Sequence, residues 1–320
     1  MKKGLIIAAA VLTFVGLAMI AGAIATVGFD PQRLDTAAYE TNTYAPEEEF
    51  RAIEIRTREA DVILKKSEDG RCSVACVERD KDRHTVTVEN GILKIGEEDE
   101  RGWIDHLTIF SKPLSVTVSL PADRYESLLI ESSTGDVEIP ASFGFGQIGV
   151  RTSTGDVVCL ASADGKLAIW TNTGEIRLEG GSCATEAELS VSTGRITVTS
   201  FACGGELSVS VGTGKTKLTD VTCGALVSKG STGDITLRNV TASGSFLLTR
   251  STGDVRFEDC DAEEISVRTS TGDVTGTLRS AKTFTVTTST GSVRVPESSN
   301  GGKCEIRTST GDVKITLTEG

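Results

Sequence analysis

The tetrapeptide Ser-Thr-Gly-Asp, or a close variant of it, returns every 19 or 20 residues between residues 133 and 312. Its glycines are Gly135, Gly155, Gly174, Gly194, Gly214, Gly233, Gly253, Gly272, Gly291 and Gly311. A unit this short cannot close a core of its own. A fixed period of this size therefore predicts a solenoid, in which each unit buries its apolar face against the next.

The columns of the repeat set the secondary structure. Seven residues before each glycine stand Leu128, Ile148, Leu167, Ala187, Leu207, Leu226, Phe246, Ile265, Phe284 and Cys304. Five before stand Ile130, Val150, Ile169, Leu189, Val209, Ser228, Leu248, Val267, Val286 and Ile306. The residue just before the glycine is threonine in all ten repeats, from Thr134 to Thr310. These positions lie two or four apart, which is the period of one face of a strand. The threonines are therefore expected to point inward and to form a hydroxyl ladder along the axis.

After the glycine the parity slips. The next apolar columns are Val137, Val157, Ile176 and Ile196, then Ile139, Cys159, Leu178 and Val198. The glycine and the residue after it both face out, so the chain turns a corner there, where glycine takes a positive φ without a Cβ clash. A second, loosely patterned corner is plugged by Phe143, Phe201, Val221, Val240 or Cys260. The predicted fold is an all-β parallel β-solenoid of about ten coils, each of two or three short strands.

Ahead of the repeats, residues 1–3 form a stub, Met1-Lys2-Lys3, and residues 4–28 carry no charge. As a helix, the uncharged run spans roughly 36 Å, enough for a bilayer core of about 30 Å. It reads as a single membrane anchor. Lys2 and Lys3 keep the N-terminus cytoplasmic and place the bulk of the chain outside. The competing reading is a cleaved signal peptide, with Ala21-Gly22-Ala23 as its small-residue site.

Residues 29–47 read as a stalk, or as a strand laid over the first coil through Tyr39 and Tyr44. Residues 48–127 read as an N-terminal cap with a degenerate first coil, in which Ala60 replaces the glycine and Ile53, Ile55, Val62 and Leu64 fall on the core columns. Strands are expected at Cys72–Val77, Thr85–Val88, Ile92–Ile95, Ile104–Phe110 and Leu114–Leu120, with a hairpin turn at Asn90-Gly91. Residues 128–320 are the regular solenoid.

The net charge of −12 disfavours a nucleic-acid partner and favours cationic ones. The residue after the glycine is Asp136, Asp156, Asp234, Asp254, Asp273 or Asp312, and elsewhere Glu175, Arg195, Lys215 or Ser292. Stacked carboxylates could bridge Ca²⁺. Each coil offers only one, however, where Ca²⁺ takes six to eight oxygens, so the column reads as a turn position. No metal or other cofactor is expected.

Of the eight cysteines, Cys183, Cys203 and Cys223 are each 20 apart and stack in one column. Cys159, Cys260 and Cys304 fall on core columns, and Cys72 and Cys76 share one strand face too far apart to bond. Mostly free thiols are expected, with disulfides or metal as the minor alternative. His84 and His106 are scattered in the cap and read as structural. Trp170, on an outward column, and Trp103, in the cap, read as packing or interface residues. No catalytic constellation stands out.

The chain resembles the bacterial putative-adhesin β-strand-repeat family, a domain of unknown function. The resemblance covers roughly residues 48–320. It rests on Ile53-Glu54-Ile55 with Ala60-Asp61-Val62, the hairpin Asn90-Gly91-Ile92-Leu93-Lys94-Ile95, Val116-Thr117-Val118-Ser119-Leu120-Pro121 and the iterated Ser-Thr-Gly-Asp-Val. The resemblance implies a surface adhesive or structural role, with an envelope protein or glycan of unknown identity as partner and no catalytic residues. Two other readings stay open: a carbohydrate-active β-helix enzyme, and an accessory of envelope stress sensing. The chain stops soon after its last repeat, so the C-terminal coil is expected to expose Ile306, Val313 and Ile315 and to offer an edge for self-association.

Overall fold

The computed structural model describes residues 11–19, 21, 22, 25, 38–79, 82–99, 113–183, 185–298 and 300–318. Residues 11–19 are helical, with Leu12, Phe14 and Leu17 exposed. No helix among the described residues is long and apolar enough to cross a membrane. The stub, the rest of the predicted anchor, the first part of the predicted stalk, the expected strand Ile104–Phe110, Trp103 and His106 lie outside the described residues.

The repeats form a parallel β-solenoid. Leu128 pairs with Ile148, Ile148 with Leu167, Leu167 with Ala187 and Ala187 with Leu207. The series continues through Leu226 and Phe246 to Ile265. Each step moves one repeat along the axis, so a column in the sequence is a column in space. The two apolar columns before the glycine are buried from Leu128 to Val267, as are the corner plugs Phe143, Phe201, Val221, Val240 and Cys260. The degenerate coil takes its place in the stack: Ile53 pairs with Leu128 and Val62 with Val137.

The threonine before each glycine does not point inward. All ten, from Thr134 to Thr310, are exposed. The buried position lies two residues earlier, at Ser132, Thr152, Thr171, Thr269 and Thr308. The parity slip thus starts before the glycine as well as after it. The reason is local: the inward hydroxyl donates to the carbonyl of the outward threonine, as in Thr171 to Thr173 at 3.2 Å and Thr308 to Thr310 at 3.3 Å. It also reaches the glycine carbonyl of the neighbouring coil, as in Thr171 to Gly155 and Thr308 to Gly272, both at 3.2 Å. The one hydroxyl proton is shared between the two corner carbonyls inside the wall, and the threonine carbonyl also accepts a backbone N–H, as Thr173 does from Gly155 at 3.0 Å.

The stack does not follow chain order at its ends. Ile265 pairs with Cys304, and Cys304 pairs with Phe284 on its other side. The Gly311 coil therefore lies between the Gly272 and Gly291 coils. This overturns the expectation of an exposed last coil, since Ile306, Val313 and Ile315 are all buried. The outermost coil is that of Gly291, whose Phe284 and Val286 are half-buried and whose Val293 is 45% exposed. At the other end Ile53 pairs with both Leu93 and Leu128, so the first coil is also enclosed.

The cap beyond it is antiparallel. Strand Ser73–Arg79 runs against Leu114–Leu120, and Asp82–Glu89 runs against Ile92–Asp99. Tyr39–Tyr44, within the segment read as a stalk, is a strand paired antiparallel with Ser73–Arg79, so it straps the cap.

Candidate functional site

The Ser-Thr-Gly-Asp corner is the feature that the sequence singles out, and the structure shows how its parts are used. All ten glycines have φ between 119° and 152°. A Cβ built on Gly253 would fall on the carbonyl oxygen of Gly233, one coil away. The same clash recurs along the column, so the corners are packed backbone on backbone.

The aspartates that follow are exposed, apart from half-buried Asp234, and each hands its carboxylate to the next coil. Asp136 accepts the backbone N–H of Asp156 at 2.7 Å, and Asp156 accepts that of Glu175 at 2.7 Å. Asp234 accepts Asp254 at 3.2 Å, Asp254 accepts Asp273 at 2.8 Å and Asp273 accepts Asp312 at 2.8 Å. Asp312 in turn accepts Ser292 at 2.7 Å. That last N–H holds the Asp312 carboxyl below the usual range, helped by the Ser292 hydroxyl. Where the column breaks, ion pairs take over, Arg195 with Glu175 at 3.8 Å and Lys215 with Asp234 at 3.4 Å. The carboxylates are thus satisfied by donors on the protein itself. No three of the column aspartates converge as ligands among the described residues.

The second corner carries a pattern that the sequence reading missed. Gly180, Ser200, Asp220, Asn239 and Asp259 all take a positive φ between 51° and 64°. Each stands six residues after a repeat glycine, and all but Ser200 are of a type, Gly, Asp or Asn, that tolerates the left-handed region. Arg279 closes the end of this row, bonding both Asn239 and Asp259.

In the cap, Cys76, Glu78 and His84 are buried, with ligand-type atoms within 4.8 Å of one another. Glu78 is fully committed. Its Oε2 accepts the His84 N–H and Nδ1–H, both at 2.7 Å, and its Oε1 accepts Asn42 Nδ2 at 2.6 Å. Tyr44 donates to the His84 carbonyl at 2.8 Å. Asn42 and Tyr44 lie on the strap, so the cluster works as a clasp between strap and cap. Burial, and then Glu78, push the Cys76 thiol up to about 12, leaving it inert as a nucleophile. Glu78 was also missed, although the alternation that turns Val74 and Cys76 inward turns Glu78 inward with them.

A groove of about 1250 Å³ opens beside the cap. Phe50 and Tyr125 stack beneath it at 5.8 Å; Glu47, Glu48, Glu49 and Glu126 line it together with Arg51 and Arg71, and Arg51 pairs with Glu126 at 3.7 Å. On the repeat wall, the Arg151 guanidinium lies 5.2 Å above the Trp170 ring.

The family model described as Toastrack DUF4097 matches residues 50–212 and 202–320. This chain belongs to the Toastrack family. The two matches meet within a continuous wall of this Toastrack chain, where Ala187–Cys203 and Glu206–Cys223 pair along their length. No curated protein matches it. Among solved structures, the Toastrack chain is similar to a "putative adhesin" from Bacteroides fragilis, at 16% identity over 87% of this chain and 97% of that one, with a TM-score of 0.44. It is also similar to a "putative adhesin" from Parabacteroides distasonis, at 11% identity over 86% and 98%, with a TM-score of 0.42. A "putative lipid binding protein" from the same species shares 13% identity over 88% and 98%, with a TM-score of 0.33.

Proposed function

We propose that this Toastrack chain is a membrane-anchored, extracytoplasmic solenoid that serves the bacterial surface as a structural and adhesive binding module, without catalysis. The observation that carries this reading is the carboxylate ladder. The repeated acidic side chains, the obvious source of acid–base or metal chemistry on the wall, are spent on backbone N–H groups of the neighbouring coil. What such a wall offers is a rigid display surface. Lys2, Lys3 and the uncharged run 4–28 support an anchor with the N-terminus inside. The net-acidic groove over Phe50 and Tyr125 suits a cationic envelope protein or a glycan. Self-association, if it occurs, belongs to the exposed Gly291 coil rather than to the C-terminal one.

The test is protease treatment of intact cells and of protoplasts, followed by affinity capture from envelope extracts. Digestion of the solenoid from outside, with capture weakened by Glu47→Lys and Glu48→Lys, supports the reading. Full protection until lysis would rule out the topology, and turnover of an envelope polysaccharide by the purified protein would rule out the non-catalytic role.

A further inference from the structure

Three cysteines stand nine residues after Gly174, Gly194 and Gly214, at the rim of the wall. Elsewhere the same rim carries Ala163, Ala242 and Ala262, all buried, so the position calls for a small side chain and not for sulfur. Cys183 and Cys203 are direct partners in the parallel register. Parallel neighbours lie about 4.8 Å apart, inside the Cα window for a disulfide. Their sulfurs are turned toward each other, with Cys183 Sγ 2.8 Å from Cys203 Sγ. Closing a bond needs an approach of roughly 0.8 Å more. The corner beside them is built from Gly181, Gly204 and Gly205, and the two cysteines beneath it are buried, at 4% and 5% exposure, slightly less than the core cysteines are.

We infer that Cys183 and Cys203 are a thiol–disulfide exchange site that closes into a covalent staple between adjacent coils when it meets a small-molecule disulfide. The roles of the two sulfurs differ. The hydrogen bond from Cys183, with backbone N–H groups of Gly205 and Ala187, lowers the Cys203 thiol against the opposing effect of burial, while the same bond pushes Cys183 up. Cys203 is thus the attacking thiolate. It adds to one sulfur of the external disulfide, that S–S bond breaks, and one thiolate leaves. Cys183 then gives up its proton and attacks the Cys203 sulfur of the mixed disulfide, expelling the second thiolate. Two protein thiols are oxidised to one disulfide and the external disulfide is reduced to two thiols, so electrons and protons balance. Cys223 shares the column, but burial pushes its thiol up to about 12. Cys159, Cys260 and Cys304 lie deeper in the wall, almost fully buried.

The test treats the reduced, folded full chain with cystine, alkylates the remaining thiols and digests with trypsin. Cleavage after Arg177, Arg195, Lys215, Lys217 and Lys229 puts the three cysteines on separate peptides. The expected product joins residues 178–195 to residues 196–215, two hydrogens lighter than the pair. Cys183→Ala removes the bond that lowers the Cys203 thiol, so its mixed disulfide on Cys203 should form more slowly than the wild-type link and then persist. Cys203→Ala should slow thiol loss about tenfold or more, and Cys223→Ala should change nothing. Alanine already occupies this rim, so these variants keep the fold, and circular dichroism checks it. A link to residues 218–229, or no link at a cystine concentration that oxidises the urea-unfolded chain, would overturn the assignment. So would a Cys203→Ala chain that loses thiols as fast as the wild type.

Discussion

At Gly253 two constraints meet. Its φ is 143°, and the space a Cβ would take is held by the Gly233 carbonyl. Gly253→Ala already meets both, and Gly253→Val adds a branched side chain that has no outlet. We expect losses on the order of 3–5 kcal/mol for the valine variant, read as a fall in Tm, with the alanine variant close behind. An alanine variant that melts with the wild type would show that the corner relaxes at no cost.

Ser228 poses the opposite case. It stands in a column otherwise filled by Ile130, Val150, Leu189, Leu248 and their equivalents, it is fully buried, and its hydroxyl has no partner. Removing it in Ser228→Ala should stabilise the chain by about 1 kcal/mol in urea denaturation, and a loss of stability would contradict this. The glycines were legible in the sequence because a backbone requirement leaves one residue type in every repeat. The buried hydroxyl three residues before the glycine was not. That position also holds Val191, Gly230 and Arg250, so its column looks irregular beside the unbroken but exposed threonines. Arg250 fits there because Gly230 leaves room and Thr216 accepts its guanidinium at 2.8 Å.

At the scale of the coil, two corner carboxyls, Asp312 and Asp259, link stability to acid. The Asp312 carboxyl is lowered by the Ser292 N–H, and that of Asp259 by the Arg279 guanidinium. A group lowered in the folded state binds its proton more readily when unfolded. Its contribution is therefore complete above the ordinary aspartate value of 3.8 and is lost as pH falls through the lower folded value. Tm should be flat from neutrality to about pH 5 and should drop below about pH 4. Asp312→Asn keeps an acceptor for Ser292 but cannot titrate, so it should shrink that drop by lowering Tm at neutral pH toward its acid value. An equal drop in the variant would detach the ladder from acid sensitivity. The sequence showed where these aspartates stand, outward and after the glycine. It could not show that each serves the next coil rather than its own turn, because that depends on axial register.

Across the whole molecule, chain order and spatial order part company at both ends. The Gly291 and Gly311 coils offer the same columns, with Phe284 matching Cys304 and Val286 matching Ile306, so nothing in the sequence says which one lies outside. Buried Lys282 helps to settle it, bridging to the Ala262 carbonyl at 2.6 Å and to Asp261 at 2.9 Å as the chain steps past the gap. Hydrogen exchange should report the inversion. Amides of Gly302–Arg307 and Val313–Leu317 should exchange more slowly than those of Lys282–Thr287, although they are nearer the terminus. Faster exchange at the C-terminal strands would mean that the last coil is the outer one after all.

The buried last coil also bears on synthesis. As the chain emerges, the Gly291 repeat is available before the Gly311 repeat, and the surface it meets on the Gly272 coil is the one that its successor will occupy. A nascent chain that has not yet reached residue 302 can therefore dock the wrong rung, while one that extends through residue 317 must leave that place free or give it up. The stack is reached only once residues 302–317 have been made, so the order of rungs in space is not the order in which they leave the ribosome.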